Sequence, residues 1–563
     1  MKVLFKSYIL GLAMGSLCLT SCNESDFLTE IHQNEPSSLT FWKTEADASK
    51  GLAAVYNLLA EKNYGYYSGF EGYTHLQMRS DDMFPTRDEE KSIIPILFFT
   101  NTPNDYSIWN PLYKMIQVAN VFIYNVDQVE MDATKKAQMI GEATFIRGNC
   151  YFQLYCNFGR AIIHTKPTGL EANDAFIALS PKEEVLAQAA EDFTAAKAVL
   201  PETRPDGELG RITKGAAIAM LGKAYVWQAK YAEAKTELES IMGKYDLMEN
   251  YEDNFRDDHE FNKESIWEIN YADFGNEGDS WGSNIGANQY MGNVLAHYFG
   301  PQLPDGGGWY KMQPSPWLIK EFISEPRQEG SDSRWDKRLY TNCFFKYSDY
   351  NDTKADETWF KGFAFDDFWT LNETGKMFST GKVHPAYPEI EGKEGRFLWK
   401  KFSCWWNEGG CTMYNNPKGR VNNFRLLRFA EVLLLHAEAA IQTGDVSSAD
   451  ADLQRIRNRA GLPEKHFTNG DAAMEEIRRQ NLLELAGECN RWFYLTRWYS
   501  HSELKALMME RKKDTYQYDG EGNATGIIDT QNFTNFQEKH MSLPIPQSEI
   551  NTNPMAEQSE LWK

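Results

Sequence analysis

The stretch Phe424-Arg-Leu-Leu-Arg-Phe-Ala-Glu-Val-Leu-Leu-Leu-His-Ala-Glu-Ala-Ala-Ile-Gln442 is followed by Thr443-Gly444-Asp445 and then by Val446-Ser-Ser-Ala-Asp-Ala-Asp-Leu-Gln-Arg-Ile-Arg-Asn-Arg-Ala460. In the first part Leu426, Leu427, Phe429, Val432, Leu433, Leu434 and Leu435 leave almost no polar side. This predicts a helix buried all round, starting near Phe424. Thr443-Gly444-Asp445 reads as a turn. The return helix sets Ala449, Leu453, Ile456 and Ala460 at helical spacing, and Gly461 and Pro463 stop it. His436, inside the apolar helix, is expected to be a hydrogen-bonded core residue rather than a ligand.

A second stretch, Thr213 to Met242, repeats the plan. Its leading helix is rich in small residues (Ala216, Ala217, Ala219, Ala224), so another helix can approach closely. Its return helix shows Tyr231, Ala234, Leu238 and Ile241. Helical hairpins with small residues at fixed places resemble tetratricopeptide repeats. Helical signals also dominate residues 44–200. Thr44-Glu-Ala-Asp47 can cap a helix to about Leu59. Further helices are predicted over 106–126 and 134–157, the latter stopped by Gly159. Ser180-Pro181-Lys182-Glu183 reads as another start, with Ser180 as cap and Glu183 reaching back.

Lys2 and Lys6 precede an apolar run from Tyr8 to about Leu19, shorter than the roughly 20 residues that span a bilayer. Charge, apolar core and Leu19-Thr20-Ser21-Cys22 fall in the order of a bacterial lipoprotein signal peptide over residues 1–21. Cys22 is then the expected lipid attachment site. Residues 22–40 read as a polar tether, with acidic Asn23-Glu24-Ser25-Asp26 at its start.

The 563 residues carry a formal net charge of −22, which argues against nucleic acid and anionic lipid surfaces. Six cysteines remain beyond Cys18 and Cys22, and none forms a CxxC pair. Most are expected to be buried thiols, with Cys404 and Cys411 one possible disulfide. No metal or cofactor motif is found, and Asp519-Gly-Glu-Gly-Asn523 lacks the spacing of a calcium loop. HExxH, GxSxG and phosphate-loop motifs are also missing, so no catalytic role is expected.

Residues 245–420 differ from the rest, being rich in Gly, Asn, Asp and aromatics and poor in helical periodicity. Ser265-Ile-Trp-Glu-Ile-Asn-Tyr271 alternates as a strand, with Trp267, Ile269 and Tyr271 on one face. Long structured loops in a helical protein usually carry function.

Read in order, the chain resembles the SusD/RagB family of surface lipoproteins. The resemblance rests on the lipobox followed by Phe41-Trp-Lys-Thr-Glu-Ala-Asp-Ala48 and Val55-Tyr56, on Tyr113–Asn120, on Arg147–Gly159 and on Lys214–Gln228. Later matches are Gly306-Gly-Gly-Trp309 with Pro314, Arg428–Ala439 and Leu543-Pro-Ile-Pro-Gln-Ser-Glu549. It implies a mainly α fold. Four tetratricopeptide-like hairpins would form a superhelical scaffold (41–244 and 421–563 of a single domain 41–563), with the loop-rich part 245–420, carrying short strands, as ligand surface. It further implies an outer-membrane, cell-surface lipoprotein without enzymatic activity. Such a protein binds glycans and passes them to a SusC-like TonB-dependent transporter. A minority of the family bind peptides, and a pure protein-interaction scaffold is the more distant alternative.

Sugar rings present C–H faces that suit rigid aromatic platforms, and hydroxyl edges that suit amides and carboxylates. Two segments match: Tyr64–Tyr73 with Arg79-Ser-Asp81-Asp82, and Trp281–Tyr290 continuing to Tyr310. Tyr67, Tyr73, Trp281, Tyr290 and Trp309 are the stacking candidates, and Asp81, Asn284 and Gln289 the polar ones. Trp109, Trp227, Trp267, Trp492 and Trp498 lie in helical or strand patterns and are expected in the core. Trp405-Trp406 is expected to pack beside Cys404.

Overall fold

The computed structural model describes residues 41–60, 66–67, 72–85, 93–105, 107–171, 173–271, 295, 299–300, 312–356, 396–403, 422–511 and 533–563, with short strands at 358–359, 363–364, 383–385, 389–390, 393–394, 513–518 and 524–531. The signal segment, Cys22 and the tether lie outside these residues, as do Cys404, Trp405, Trp406, Cys411 and residues 519–523.

The N-terminal helices are α1 (Glu45–Asn57), α2 (Tyr73–Gln77), α3 (Ile94–Leu97), α4 (Trp109–Val126), α5 (Ala133–Phe158), α6 (Lys182–Val199), α7 (Lys214–Trp227) and α8 (Tyr231–Glu239). They are followed by α9 (Pro316–Phe322), α10 (Lys337–Asn342), α11 (Phe429–Gln442), α12 (Val446–Arg459), α13 (Gly470–Glu484), α14 (Arg491–Trp498), α15 (His501–Glu510) and α16 (Gln547–Thr552). Four helix pairs stand out: α1 with α4, α5 with α6, α7 with α8, and α11 with α12. Neighbouring pairs stack through α4 on α5, α6 on α7 and α8 on α11, and α13 closes the row against α11 and α12. The two hairpins read from the sequence are therefore neighbours in space. Lys223 of α7 reaches Glu431 of α11 at 2.7 Å.

Small residues set the helix spacing. A Cβ on Gly148 of α5 would lie 2.7 Å from the Asp192 Cβ and 3.2 Å from the Ala189 carbonyl oxygen of α6. Gly148→Leu should therefore force these helices apart and cost about 3 kcal/mol, read as a lower urea midpoint. Beside it Arg147 and Asp192 pair at 2.7 Å, both nearly buried.

Thr44 caps α1 with the full capping box, Asp47 returning the bond. The predicted cap at Ser180 is not formed. α6 starts one residue later, with Pro181 in the cap position and no side-chain bond, and the Ser180 N–H donates to the Ala161 carbonyl in an isolated bridge.

A second correction concerns Phe424–Arg428, expected to open a helix. It is a strand, β6, and α11 begins at Phe429. The strands introduced before it are β1 (Met83–Pro85), β2 (Ser265–Ile269), β3 (Met312–Pro314), β4 (Cys343–Phe344) and β5 (Leu398–Trp399). β6 runs antiparallel to β2, Phe424 opposite Ile269, with two register breaks. A short apolar run cannot distinguish strand from helix by period alone. Here the Arg425 and Arg428 side chains meet buried carboxylates on the strand side: Arg425 Nε lies 3.2 Å from Glu268, and Arg428 pairs with Glu264. β2 is buried from Ile266 to Ile269, so both of its faces are covered.

Trp109, Trp227, Trp267 and Trp492 are buried, as expected, and Trp498 packs partly buried against the core. His436 is a core histidine, its Nδ1 2.5 Å from Asp452. Cys150, Cys343 and Cys489 are buried free thiols and Cys156 is a half-buried one.

The irregular part is fixed to the helices by buried charge. Arg428 contacts Glu264, Glu484 (3.1 Å) and Glu488 (2.6 Å). Arg459 pairs with Glu264 and Glu484, Arg338 of α10 with Asp336 and Glu484, and Lys401 with Glu488 at 2.7 Å. Four cations thus face four carboxylates, and all eight residues are buried or nearly so. Burial pushes the Lys401 amine down to about 8, against the pull of Glu488.

Candidate functional site

Three of the sequence-predicted contacts are placed in the interior, which corrects their reading as ligand residues. Tyr67 is 2% exposed, and its hydroxyl accepts a hydrogen bond from Asn149 Nδ2 at 2.6 Å. Tyr73 packs against Tyr66, Tyr67 and Phe493. Asp81 is fully buried and holds Arg491 at 2.8 Å and also Arg511. The Gly- and Tyr-rich composition that suggested a sugar platform instead builds an aromatic knot under α5 and α14. Loop tyrosines are often packed under the loop that carries them. Tyr67→Phe should leave saccharide affinity unchanged while lowering stability by about 1 kcal/mol, through the bond lost to Asn149. Thermal melts and calorimetry on one preparation would check both halves.

Trp281, Asn284, Gln289, Tyr290 and Trp309 lie outside the described residues. What is described is the frame at both ends of their segment. On one side Tyr271 is buried and its N–H donates to Asn423 Oδ1 at 2.9 Å. On the other, β3 pairs antiparallel with β1, Met83 opposite Pro314. Ser315 N–H donates to the Asp82 carbonyl at 2.9 Å, and Ser315 Oγ donates to that of Asp81. The pairing of β1 with β3 joins the residues that directly follow Asp82 to those that begin at Met312.

Beside β3 opens a cleft of about 640 Å³ between α9, α13 and residues 465–469, with Trp317, Asn469, Glu475, Arg478, Tyr499 and Arg511 on its walls. Its rings are not free platforms. Arg511 lies 4.4 Å over Trp317 and Lys320 4.9 Å from it, while Arg478 sits 5.1 Å over Tyr499. The cleft therefore offers hydrogen-bonding edges rather than stacking faces. Sequence reasoning passed over it, although Ser315-Pro316-Trp317 is a helix-start signal that places Trp317 beside the β3 anchor: Ser315 caps α9 and Pro316 opens it. A second cleft of about 690 Å³ follows α1, lined by Leu52, Tyr56, Met139, Arg211 and Ile269. A third, about 380 Å³, lies between α4 and α16, with Trp109, Tyr113, Gln117 and His164.

Near the second cleft, burial pushes the Glu260 carboxyl up to about 7, opposed by the Asn423 N–H and reinforced by the charge of Glu268. A raised carboxyl contributes stability below its unfolded value, and that contribution is lost as pH rises through about 7. Glu260→Gln should thus stabilise at pH 8 by about 1 kcal/mol, discounted for partial exposure, and have no effect at pH 4. Urea midpoints at the two pH values measure it.

Among the described residues no group of three His, Cys, Asp or Glu side chains is placed to hold a metal ion, and no helix is long and apolar enough to cross a membrane.

Comparison with known proteins gives two family matches. The profile of the SusD family matches residues 263–562, and one described as starch-binding associating with outer membrane matches residues 27–226. SusD-like protein P25 of Formosa agariphila is 23% identical, over 96% of this chain and 95% of its own. A SusD-like protein of Bacteroides fragilis superposes with a TM-score of 0.71 at 20% identity, over 93% and 98% of the two chains. Surface glycan-binding protein A of Bacteroides thetaiotaomicron, solved in complex with laminarihexaose, gives 0.66 at 19% identity over 92% and 99%. These likenesses extend to the four-hairpin helical scaffold with its strand-bearing, loop-rich part.

Proposed function

The chain belongs to the SusD family, and from that premise we propose that it is a cell-surface lipoprotein that binds oligosaccharides without cleaving them. It is anchored in the outer membrane through a lipid on Cys22, and it passes its ligand to a SusC-like TonB-dependent transporter. The observation that carries this reading is the family match through residues 263–562, the part that contains the aromatic, Gly-rich segment 272–311. The laminarihexaose complex of a structural neighbour supports a saccharide as the ligand class.

In this reading Trp281, Tyr290 and Trp309 stack on sugar faces, and Asn284 and Gln289 meet hydroxyl edges. Tyr67, Tyr73 and Asp81 support the frame from below. The single domain 41–563 keeps its scaffold rigid while the ligand surface is carried on anchored loops. Binding to a glycan array, followed by calorimetry on the saccharide that binds, tests the reading. Cys22→Ser should move the protein from the detergent phase to the aqueous phase on Triton X-114 partition of cells. Retention in the detergent phase would sink the lipid anchor.

A further inference from the structure

Among the described residues Arg79 is a buried cation that meets no anion. It is 2% exposed, and its Nε donates to the Leu76 carbonyl at 2.8 Å. Its guanidinium lies 4.8 Å from the ring centre of Trp492. Among the described residues it forms no ion pair, and the bond from Nε is its one side-chain hydrogen bond. The other buried arginines among the described residues all meet carboxylates, as Arg147, Arg338, Arg425, Arg428, Arg457 and Arg491 do. An isolated ion removed from water costs several kcal/mol unless something compensates it.

The same aromatic cluster carries two further donors without acceptors. Phe99 packs 6.0 Å from Trp492 and 5.6 Å from His540. His540 Nδ1 accepts the Gln537 N–H at 2.9 Å, which places the proton on Nε2, and that buried group has no partner. Gln77 Oε1 accepts the Trp492 N–H at 3.1 Å, and its buried Nε2 is likewise unpartnered. Burial holds His540 down at about 4, reinforced by the positive charges of Lys539, Arg79 and Lys505. In a chain of net charge −22, this is a local reversal of sign.

We propose that Arg79, with Gln77 Nε2 and His540 Nε2, forms a site for one oxyanion, a carboxylate or sulfate group. Three donors borne on residues of one aromatic cluster suit a compact anion with several acceptor oxygens. The group can come from an acidic sugar or from a free inorganic ion. The site lies between the segment leading into β1 and the C-terminal residues 533–541, so an occupant would tie the loop frame to the scaffold.

Thermal melts of the full chain at matched ionic strength test this, with sodium sulfate and sodium glucuronate as probes, and sodium chloride and glucose as controls. Both probes should raise the melting temperature of the wild type, on the order of 1 °C for a chain of this size at tens of millimolar probe. Arg79→Met should abolish the rise and, by removing an uncompensated charge, be at least as stable as wild type in chloride. His540→Gln should weaken calorimetric sulfate binding at least tenfold, and it keeps the test open should Arg79→Met not fold. Sulfate binding tighter than glucuronate assigns the site to an inorganic ion, and the reverse order to a sugar-borne group. No rise with either probe in wild type, or an unchanged rise in Arg79→Met, overturns the proposal. Neutral-glycan binding should be the same in all three proteins, so failure here is separable from failure of the saccharide reading.

Discussion

Arg428→Met is expected to destabilise the protein by about 3–5 kcal/mol, the loss typical of removing one partner from a buried ion network. Arg428 is fully buried and touches three carboxylates, Glu264, Glu484 and Glu488. Its removal leaves Asp336, Glu264, Glu484 and Glu488 facing only Arg338, Arg459 and Lys401. The methionine fills most of the volume, so the effect is electrostatic rather than a cavity. The urea midpoint should fall with little change in slope. The same network sets the acid limit. Burial opposes charge on Glu484, but Arg459, Arg428 and Arg338 outweigh it and hold the carboxyl far below its usual range. A depressed carboxyl contributes stability above its unfolded value near 4.5, and that contribution is lost as pH falls toward the folded one. Wild-type stability should therefore drop steeply below about pH 4.

The second large effect is on binding. Trp281→Ala combined with Tyr290→Ala should reduce saccharide affinity by about 10³-fold. Aromatic anchors at the centre of a site are worth roughly 2 kcal/mol each. The melting temperature should change little, since the frame at Tyr271 and β3 is held independently by Asn423 and β1. Unchanged affinity in the double variant, with a normal melting curve, would move the site elsewhere. The cleft at Trp317 and Asn469 would then be the next candidate.

The helical scaffold was legible because its signals are local. Thr44 with Asp47, the Thr443-Gly444-Asp445 turn and the small residues of α7 each act within a few positions, and the structure places them as read. Phe424–Arg428 was misread because only its distant partner β2 makes it a strand. The buried ion network was invisible for the same reason: Glu264, Arg428 and Glu484 are far apart in sequence and meet only in the fold. Composition misled at Tyr67 and Tyr73. A Gly- and Tyr-rich segment looks alike whether its rings face solvent or turn inward to Asn149 and Phe493. Asp81 read as a sugar contact, yet two arginines remote in sequence claim it.

In the proposed role the protein holds an oligosaccharide and leaves it intact. The most direct test is calorimetric titration of the purified protein with the oligosaccharide selected on a glycan array, followed by chromatography of the recovered sugar. Saturable binding is expected, lost in the Trp281 and Tyr290 double variant, with the sugar recovered at its original length. Shortened products, or no saccharide bound by the wild type across the array, would contradict it.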